Sequence, residues 1–294
     1  MKKAFHQFLG LFFCFTFLML TALPTAAAAK KTELSPKAIS NRSIESYARI
    51  GVRLNGKPIA DGLLIHETTY IPLRSFTEAL TDASISYDAS LREATVTDEG
   101  LTMLVRDGGH IVYANGRPLY TLTPAIVMSD GRMYLPIRTA AKVMGVSVEW
   151  NNATRSVSIT GEESYLMHAD DYYSKDSLYW LSRIISAESQ GEPLLGQIAV
   201  GNVVLNRVRS PLYPNTVYGV IFDRRYGVQF SPVKDGSIYK TPYATSVTAA
   251  KICLEGYSVS GEILFFLEPR ISISMWVPSN RPYRFTIGHH DFYA

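Results

Sequence analysis

The chain has 294 residues, 47% of them hydrophobic, with 18 Tyr, 13 Phe and 3 Trp; this supports one large or two ordinary packed domains and excludes a disordered protein. The formal charge of +3 falls to +1 without Lys2 and Lys3, which sit in a segment expected to be removed. So even a balance argues against the counterion release that drives nucleic-acid binding, and no nucleic-acid partner is expected.

Residues 1–29 read as a secretory signal: Lys2 and Lys3, an apolar run from Phe8 to Leu20, Pro24, and an alanine tract ending at Ala29 that suits cleavage before Lys30. The run has 13 residues where a membrane span needs about 20, and no later stretch is apolar enough, so no span is expected after cleavage. Cys14 leaves with the signal and Cys253 remains alone, which rules out an internal disulfide. A cysteine-poor exported chain fits a bacterial envelope or extracellular protein. Residues 30–48 read as a linker.

A duplication organises residues 49–160. Leu54-Asn55-Gly56-Lys57-Pro58-Ile59 recurs as Ala114-Asn115-Gly116-Arg117-Pro118-Leu119, and Tyr70-Ile71-Pro72-Leu73-Arg74 recurs 64 residues later as Tyr134-Leu135-Pro136-Ile137-Arg138. Asn-Gly between apolar alternating runs predicts a hairpin in each copy. Short helices are expected over Ser75–Leu80 and Thr139–Met144, then strand pairs Ile85–Tyr87 with Ala94–Thr97 and Val146–Trp150 with Ser156–Ile159. Neither copy could bury a sufficient core alone, so the two are expected to pack together.

On these residues the front half resembles the small repeat domain named after the amino-terminal domain of copper amine oxidases, common on secreted proteins of Gram-positive spore formers. The resemblance implies a non-catalytic stalk that could attach to other cell-wall polymers. Copper is not expected, because only His66 and His110 stand here, far apart in the pattern. Arg74 and Arg138 recur at equivalent positions. They fit either a ligand site used twice or, as the plainer reading, a structural guanidinium at each helix start that caps carbonyls or pairs with a carboxylate.

Residues 161–177 hold five acidic residues and no apolar period, which reads as a solvated linker. From Ser177 the pattern turns helical. Ser177 is expected to cap a helix over Leu178 to Ser189, on which Leu181, Ile184, Ile185 and Glu188 fall on one face. A carboxylate thus occupies a core-facing position, and taking it out of water should raise its pKa, as a general acid requires. A buried Glu satisfied by Arg or backbone donors is the competing reading. Gly191 and Pro193 end the helix just after Glu188, leaving it free to open into a cleft.

Glu192 invites a paired-carboxylate reading, but the flanking Gly191 and Pro193 take it off the first helix. It is expected beside the amino terminus of the next, in structural or substrate-positioning work. That helix should run from about Leu195 to Val208, with Gly201 allowing another helix close, followed by a short one around Val217–Phe222. Arg224 to Pro232 suggests a β-type loop lining the cleft, Thr241-Pro242 opens a helix ending near Gly256, and Ile263–Phe266 and Ser272–Trp276 read as extended.

Ile185 to Pro193, Gly196 to Val200, Val204 to Val208, Pro214 to Val217, Gln229 to Pro232, Ile263 to Pro269 and Ile287 to Tyr293 together resemble the SleB-type cell-wall hydrolases over about residues 178–294. The resemblance implies a mainly helical, lysozyme-like catalytic domain that cleaves peptidoglycan glycan strands, notably of spore cortex, as a lytic transglycosylase, with Glu188 at the catalytic position. The whole is then α+β: a duplicated β-rich domain followed by a helical one at 178–294. Glu268 departs from the family pattern, which often has Asn there.

Glu188 is therefore expected to protonate the bond between N-acetylmuramic acid and N-acetylglucosamine, then help the 6-hydroxyl close a 1,6-anhydro ring, with no metal, no cofactor and no second obligatory carboxylate evident. Gln229 is expected to hydrogen-bond the substrate and Phe230, Phe266 and Trp276 to stack on sugars, although each ring also fits a core role. His289-His290-Asp291 lacks a spaced third ligand for zinc, which leaves His290 a structural or supporting place. The partner expected is peptidoglycan, met by a monomer at the wall or spore envelope of a Gram-positive bacterium. Two other readings stay open: a wall-binding or spore-assembly protein with a degenerate hydrolase fold, and peptide or amide cleavage, for which Cys253 reads as core rather than nucleophile.

Overall fold

A computed structural model describes residues 43–225, 227–272 and 275–294. The expected signal and most of the 30–48 linker lie outside the described residues. In chain order the front half forms β1 (Ala48–Leu54), β2 (Lys57–Ile65), β3 (Thr68–Pro72), α1 (Leu73–Glu78), β4 (Ser84–Asp88), β5 (Glu93–Asp98), β6 (Leu101–Arg106) and β7 (Ile111–Ala114). It continues through β8 (Arg117–Tyr120), β9 (Ile126–Val127), β10 (Met133–Pro136), α2 (Ile137–Met144), β11 (Ser147–Asn151) and β12 (Ser156–Thr160).

The Asn-Gly pairs turn the chain as expected. Asn55 and Gly56 have φ of 48° and 83°, and Asn115 and Gly116 have 51° and 76°, the double positive φ of a tight hairpin turn whose twist matches its strands. A seven-stranded sheet, β11-β12-β1-β2-β3-β10-β9, packs against a five-stranded one, β4 to β8. Between them lie Ile50, Ile71, Phe76, Val96, Val112, Leu135 and Ile159, all at most 2% exposed. The copies meet across β3 and β10, where Ile71 pairs with Leu135, its own counterpart, and Tyr70 and Pro72 pair with Pro136 and Tyr134. A pseudo-two-fold axis therefore passes through this pair, so each copy completes the core of the other.

Helices α1 and α2 start at Leu73 and Ile137, two residues earlier than expected, because Pro72 and Pro136 stand at the caps and pre-set the entry. Arg74 pairs only with Glu78, at 3.4 Å on the surface. Arg138 is exposed and makes no hydrogen bond or ion pair among the described residues. The structural role favoured for this recurrent arginine, pairing with a carboxylate, is met by Arg74 in an exposed pair and not by Arg138.

Residues 161–177 are largely exposed, as expected of a linker, but they are fixed to the front half. The Leu166 carbonyl accepts from Asn115, the Ala169 amide donates to the Asn115 carbonyl, and Tyr165 donates to Asp98. Residues Ala169–Tyr172 form the short helix α3, with Ala169 and Tyr173 buried. These contacts are made by scattered side chains and backbone, so they leave no apolar period in the sequence.

The back half comprises α4 (Lys175–Ser189), α5 (Leu194–Arg209), α6 (Val217–Ile221), α7 (Ser231–Asp235), α8 (Ala244–Leu254), β13 (Phe265–Leu267), α9 (Trp276–Asn280), β14 (Tyr283–Ile287) and β15 (His290–Tyr293). Helix α4 is capped by Ser174, whose hydroxyl accepts from the Ser177 amide, so the cap lies three residues before the one expected. Of the expected extended segment Ser272–Trp276, residues 273–274 lie outside the described residues and Trp276 opens the helical turn α9, while the helical turn Ser231–Asp235 begins at the end of the expected loop. Helices α4, α5 and α8 pack around Leu181, Ile185, Val200, Val203, Ala249 and Cys253. A Cβ on Gly201 would lie 2.7 Å from Cys253 Sγ and 2.8 Å from Ile185, which is the close approach that glycine permits. The β13-β15-β14 sheet closes one end.

The two halves are docked, not strung together. Arg117, in the second Asn-Gly hairpin, donates from Nε and Nη2 to Glu255 at the end of α8, at 2.7 and 2.9 Å. Lys142 donates to the same carboxylate at 3.0 Å, and the Tyr173 hydroxyl donates to it at 2.7 Å. The Arg117 and Glu255 side chains are 4% and 2% exposed. Burial alone would raise the Glu255 carboxyl, but these three donors outweigh it and hold the group below the usual range. Tyr120 meets Tyr257 edge-on, with centroids 4.6 Å apart.

Candidate active site

Glu188 lies in the last turn of α4, one residue before the helix ends. Its own helix presents Leu181, Ile184 and Ile185 to the core, which draws the carboxylate inward, while the turn at Gln190-Gly191 stops the chain before the side chain is covered. Glu188 is half-buried and has no hydrogen-bond or salt-bridge partner among the described residues. It opens on a cleft of about 470 Å³.

The other walls come from four elements. Arg207 projects from α5, Gln229 and Phe230 from the loop before α7, Phe266 and Glu268 from β13 and the residue after it, and His290 from β15. Asp235, the last residue of α7, faces the same space. Burial, and then the charge of Asp235, push the Glu188 carboxyl from 4.5 up to about 7. Asp235 goes the other way: it is exposed, accepts from the Ser237 amide at 2.8 Å, and is held below the usual carboxylate range by Ser237. Glu268 is paired with Arg270 at 3.1 Å. Of the three carboxyls lining the cleft, Glu188 is suited to carry a proton near neutrality while Asp235 stays ionised, a division of labour set by environment. Glu268, singled out in the sequence, and Asp235, which was not, both line the cleft with Glu188.

Of the residues expected to bind substrate, Gln229, Phe230, Phe266 and His290 do line the cleft with Glu188. Gln229 is half-buried, its amide donating to the Gly227 carbonyl at 3.1 Å. Phe230 is 3% exposed and serves as wall and core. Phe266 packs edge-on against the His290 ring, centroids 5.3 Å apart. His290 is buried, its Nδ1 lacks a hydrogen-bond partner among the described residues, and burial lowers its pKa against the pull of Glu192 and Glu268.

Glu192 takes the structural place that was one of the two expected for it, and Trp276 is not among the residues lining the cleft. Glu192 is buried away from the cleft lining. One oxygen accepts from the His289 amide and the other meets His289 Nδ1, both at 2.9 Å. Burial alone would raise this carboxyl, but those contacts outweigh it and hold it low. It therefore braces the turn that delivers His290. Gly288 allows this, with φ of 57° and no room for a Cβ, which would fall on the Glu192 oxygen. Trp276 stands outside the cleft, 52% exposed, with its ring near Phe265 and Arg281.

Arg207 was legible only as part of the resemblance, with no site role. It is 5% exposed, donates from Nε to the Leu264 carbonyl at 2.8 Å, and sets its guanidinium 5.2 Å from the Phe230 ring centroid. Among the described residues no group of three or more His, Cys, Asp or Glu could hold a metal ion. No helix there is long and apolar enough to cross a membrane.

Comparison with known proteins places these features. Residues 53–159 match the copper amine oxidase N-terminal domain family and residues 191–293 the Cell Wall Hydrolase family. The spore cortex-lytic enzyme of Bacillus cereus is 41% identical over 120 residues, covering 41% of this chain and 45% of that protein. That of Bacillus subtilis is 38% identical, over 41% of this chain and 38% of the relative. The chain thus spans less than half the length of these curated relatives. The solved catalytic domain of the germination-specific lytic transglycosylase SleB from Bacillus anthracis is 40% identical, covering 42% of this chain and 97% of that one with a TM-score of 0.38. This chain joins a copper amine oxidase N-terminal-like domain to a catalytic domain of the cell wall hydrolase family.

Proposed function

We propose that the protein is an exported enzyme that cleaves peptidoglycan glycan strands between N-acetylmuramic acid and N-acetylglucosamine as a lytic transglycosylase. Spore cortex is the substrate favoured by the names of its relatives. The observation that carries this reading is Glu188, unpartnered at the head of an open cleft with a carboxyl that titrates at about 7.

The protonated carboxyl donates its proton to the glycosidic oxygen, and the bond from the muramic anomeric carbon to that oxygen breaks. The leaving glucosamine departs with a free 4-hydroxyl. The positive charge developing at the anomeric carbon is met by the substrate's own N-acetyl oxygen and by the ionised Asp235 across the cleft. Glu188, now a carboxylate, takes the proton of the sugar's 6-hydroxyl as that oxygen bonds to the anomeric carbon. The product is a 1,6-anhydro end, the enzyme's proton is restored, and no water is consumed. Neutral His290 and the Gln229 amide offer hydrogen bonds to acetamido or hydroxyl groups, while Phe266 walls one side.

Incubating residues 30–294 and their Glu188→Gln variant with purified peptidoglycan tests this. Soluble fragments are expected from the first and none from the second. Equal release by both would remove Glu188 from the mechanism, and release by neither, on cortex and vegetative wall, would overturn the enzymatic reading.

A further inference from the structure

Among the grooves of the duplicated domain, two flank its helices and are not used by the catalytic chemistry, one of about 370 Å³ beside α1 and one of about 670 Å³ beside α2. They are built from matching positions. Arg74 and Arg138 stand in the first helical turn, Tyr87 and Trp150 on the hairpin that follows, and Val127 and Leu64 reach across from the other copy to close the first and second groove respectively. The pairing of Ile71 with Leu135 relates the two grooves by the pseudo-two-fold axis. Tyr257 of the catalytic domain extends the second.

The fold does not account for these arginines. A cation in the first turn of a helix faces the positive end of the helix dipole. Arg74 gains only an exposed pair with Glu78, which contributes little, and Arg138 gains no partner among the described residues. A residue repeated at a position where the helix disfavours it calls for another use. The guanidinium fork matches a carboxylate. Tyr87, 51% exposed, and Trp150 supply flat apolar faces with a polar edge, which suit sugar rings. Two copies of one site suit a ligand that repeats one unit.

We propose that the duplicated domain binds peptidoglycan as a repeating, carboxylate-bearing glycan through these two equivalent grooves. This rests on the wall-polymer reading above and adds a second contact with the same polymer, remote from Glu188. Two linked sites on one strand can exceed either alone by about 10²–10⁴-fold, so loss of one groove should remove most of the affinity.

The test measures co-sedimentation of the chain with insoluble peptidoglycan in a Glu188→Gln background, where binding is read without cleavage. Arg74→Glu and Arg138→Glu alter exposed side chains, and an unchanged melting temperature verifies the fold. Each is expected to weaken binding about tenfold or more, with Tyr87→Ala acting in the same direction. Amidating the carboxylates of the peptidoglycan should weaken the unaltered grooves likewise. Cleavage of short soluble glycans by chains that keep Glu188 should be unchanged, which separates failure of the grooves from failure of the catalytic reading. The proposal is overturned if the double arginine variant sediments like its parent, if binding survives amidation, or if it vanishes once phosphate polymers are stripped from the wall.

Discussion

Replacing Glu188 by Gln should stabilise the protein at alkaline pH and not at acid pH. The folded carboxyl titrates at about 7 and the unfolded one at about 4.5, so the native state binds more protons between those values. Stability therefore falls as pH rises through that window and stays lower above it. At about 1.4 kcal/mol per pH unit the penalty is about 3 kcal/mol in full, and residual exposure of the half-buried side chain reduces it to about 2 kcal/mol. Gln keeps the shape and carries no charge. Thermal unfolding of both proteins at pH 4 and pH 8 should give nearly equal midpoints at pH 4, and a variant melting about 4–8 °C higher at pH 8. Equal midpoints at both values would mean that Glu188 is solvated or paired when ionised, and the proton-donor argument would lose its physical basis.

The neighbouring charges give further expectations. Asp235→Asn removes the anion that helps hold the Glu188 proton, so the alkaline limb of the pH–rate profile should move to lower pH and turnover should fall throughout; an unmoved limb would assign the raised pKa to burial alone. Glu255→Ala strands the buried Arg117 guanidinium at the domain junction, and urea titration should show a loss of about 3–5 kcal/mol, whereas a loss under 1 kcal/mol would mean the halves are not held there. Gly288→Ala drives a Cβ into Glu192 at a positive φ, at a cost of about 2 kcal/mol or more. It should lower turnover through the displaced His290, measured beside unfolding; wild-type turnover would show that the His290 turn does not shape the cleft.

What could be read in advance follows the range of the interactions. The Asn-Gly hairpins and the duplicated Pro-Leu/Ile-Arg starts are local, so their turns and helices were legible. Glu188 was legible because one helical period ties it to Leu181, Ile184 and Ile185. Asp235 was not, because only folding brings the end of α7 opposite the end of α4, and an Asp-Gly pair carries no mark beyond a turn. The docking of the two halves depends on Arg117 and Glu255, 138 residues apart, and the contacts that fix the largely exposed residues 161–177 leave no apolar period. Glu192 was legible as a carboxylate beside the start of α5 in structural work, whereas Trp276, an aromatic of suitable chemistry, lies in a surface cluster with Phe265 and Arg281.

The most direct test of the mechanism is digestion of purified peptidoglycan by residues 30–294 in water enriched in heavy oxygen, with the new glycan ends identified by mass spectrometry. Closure by the sugar's own 6-hydroxyl predicts 1,6-anhydromuramic ends that carry no label, and no such ends from Glu188→Gln. Reducing muramic ends carrying the heavy oxygen would show that water is the nucleophile and contradict ring closure by the 6-hydroxyl.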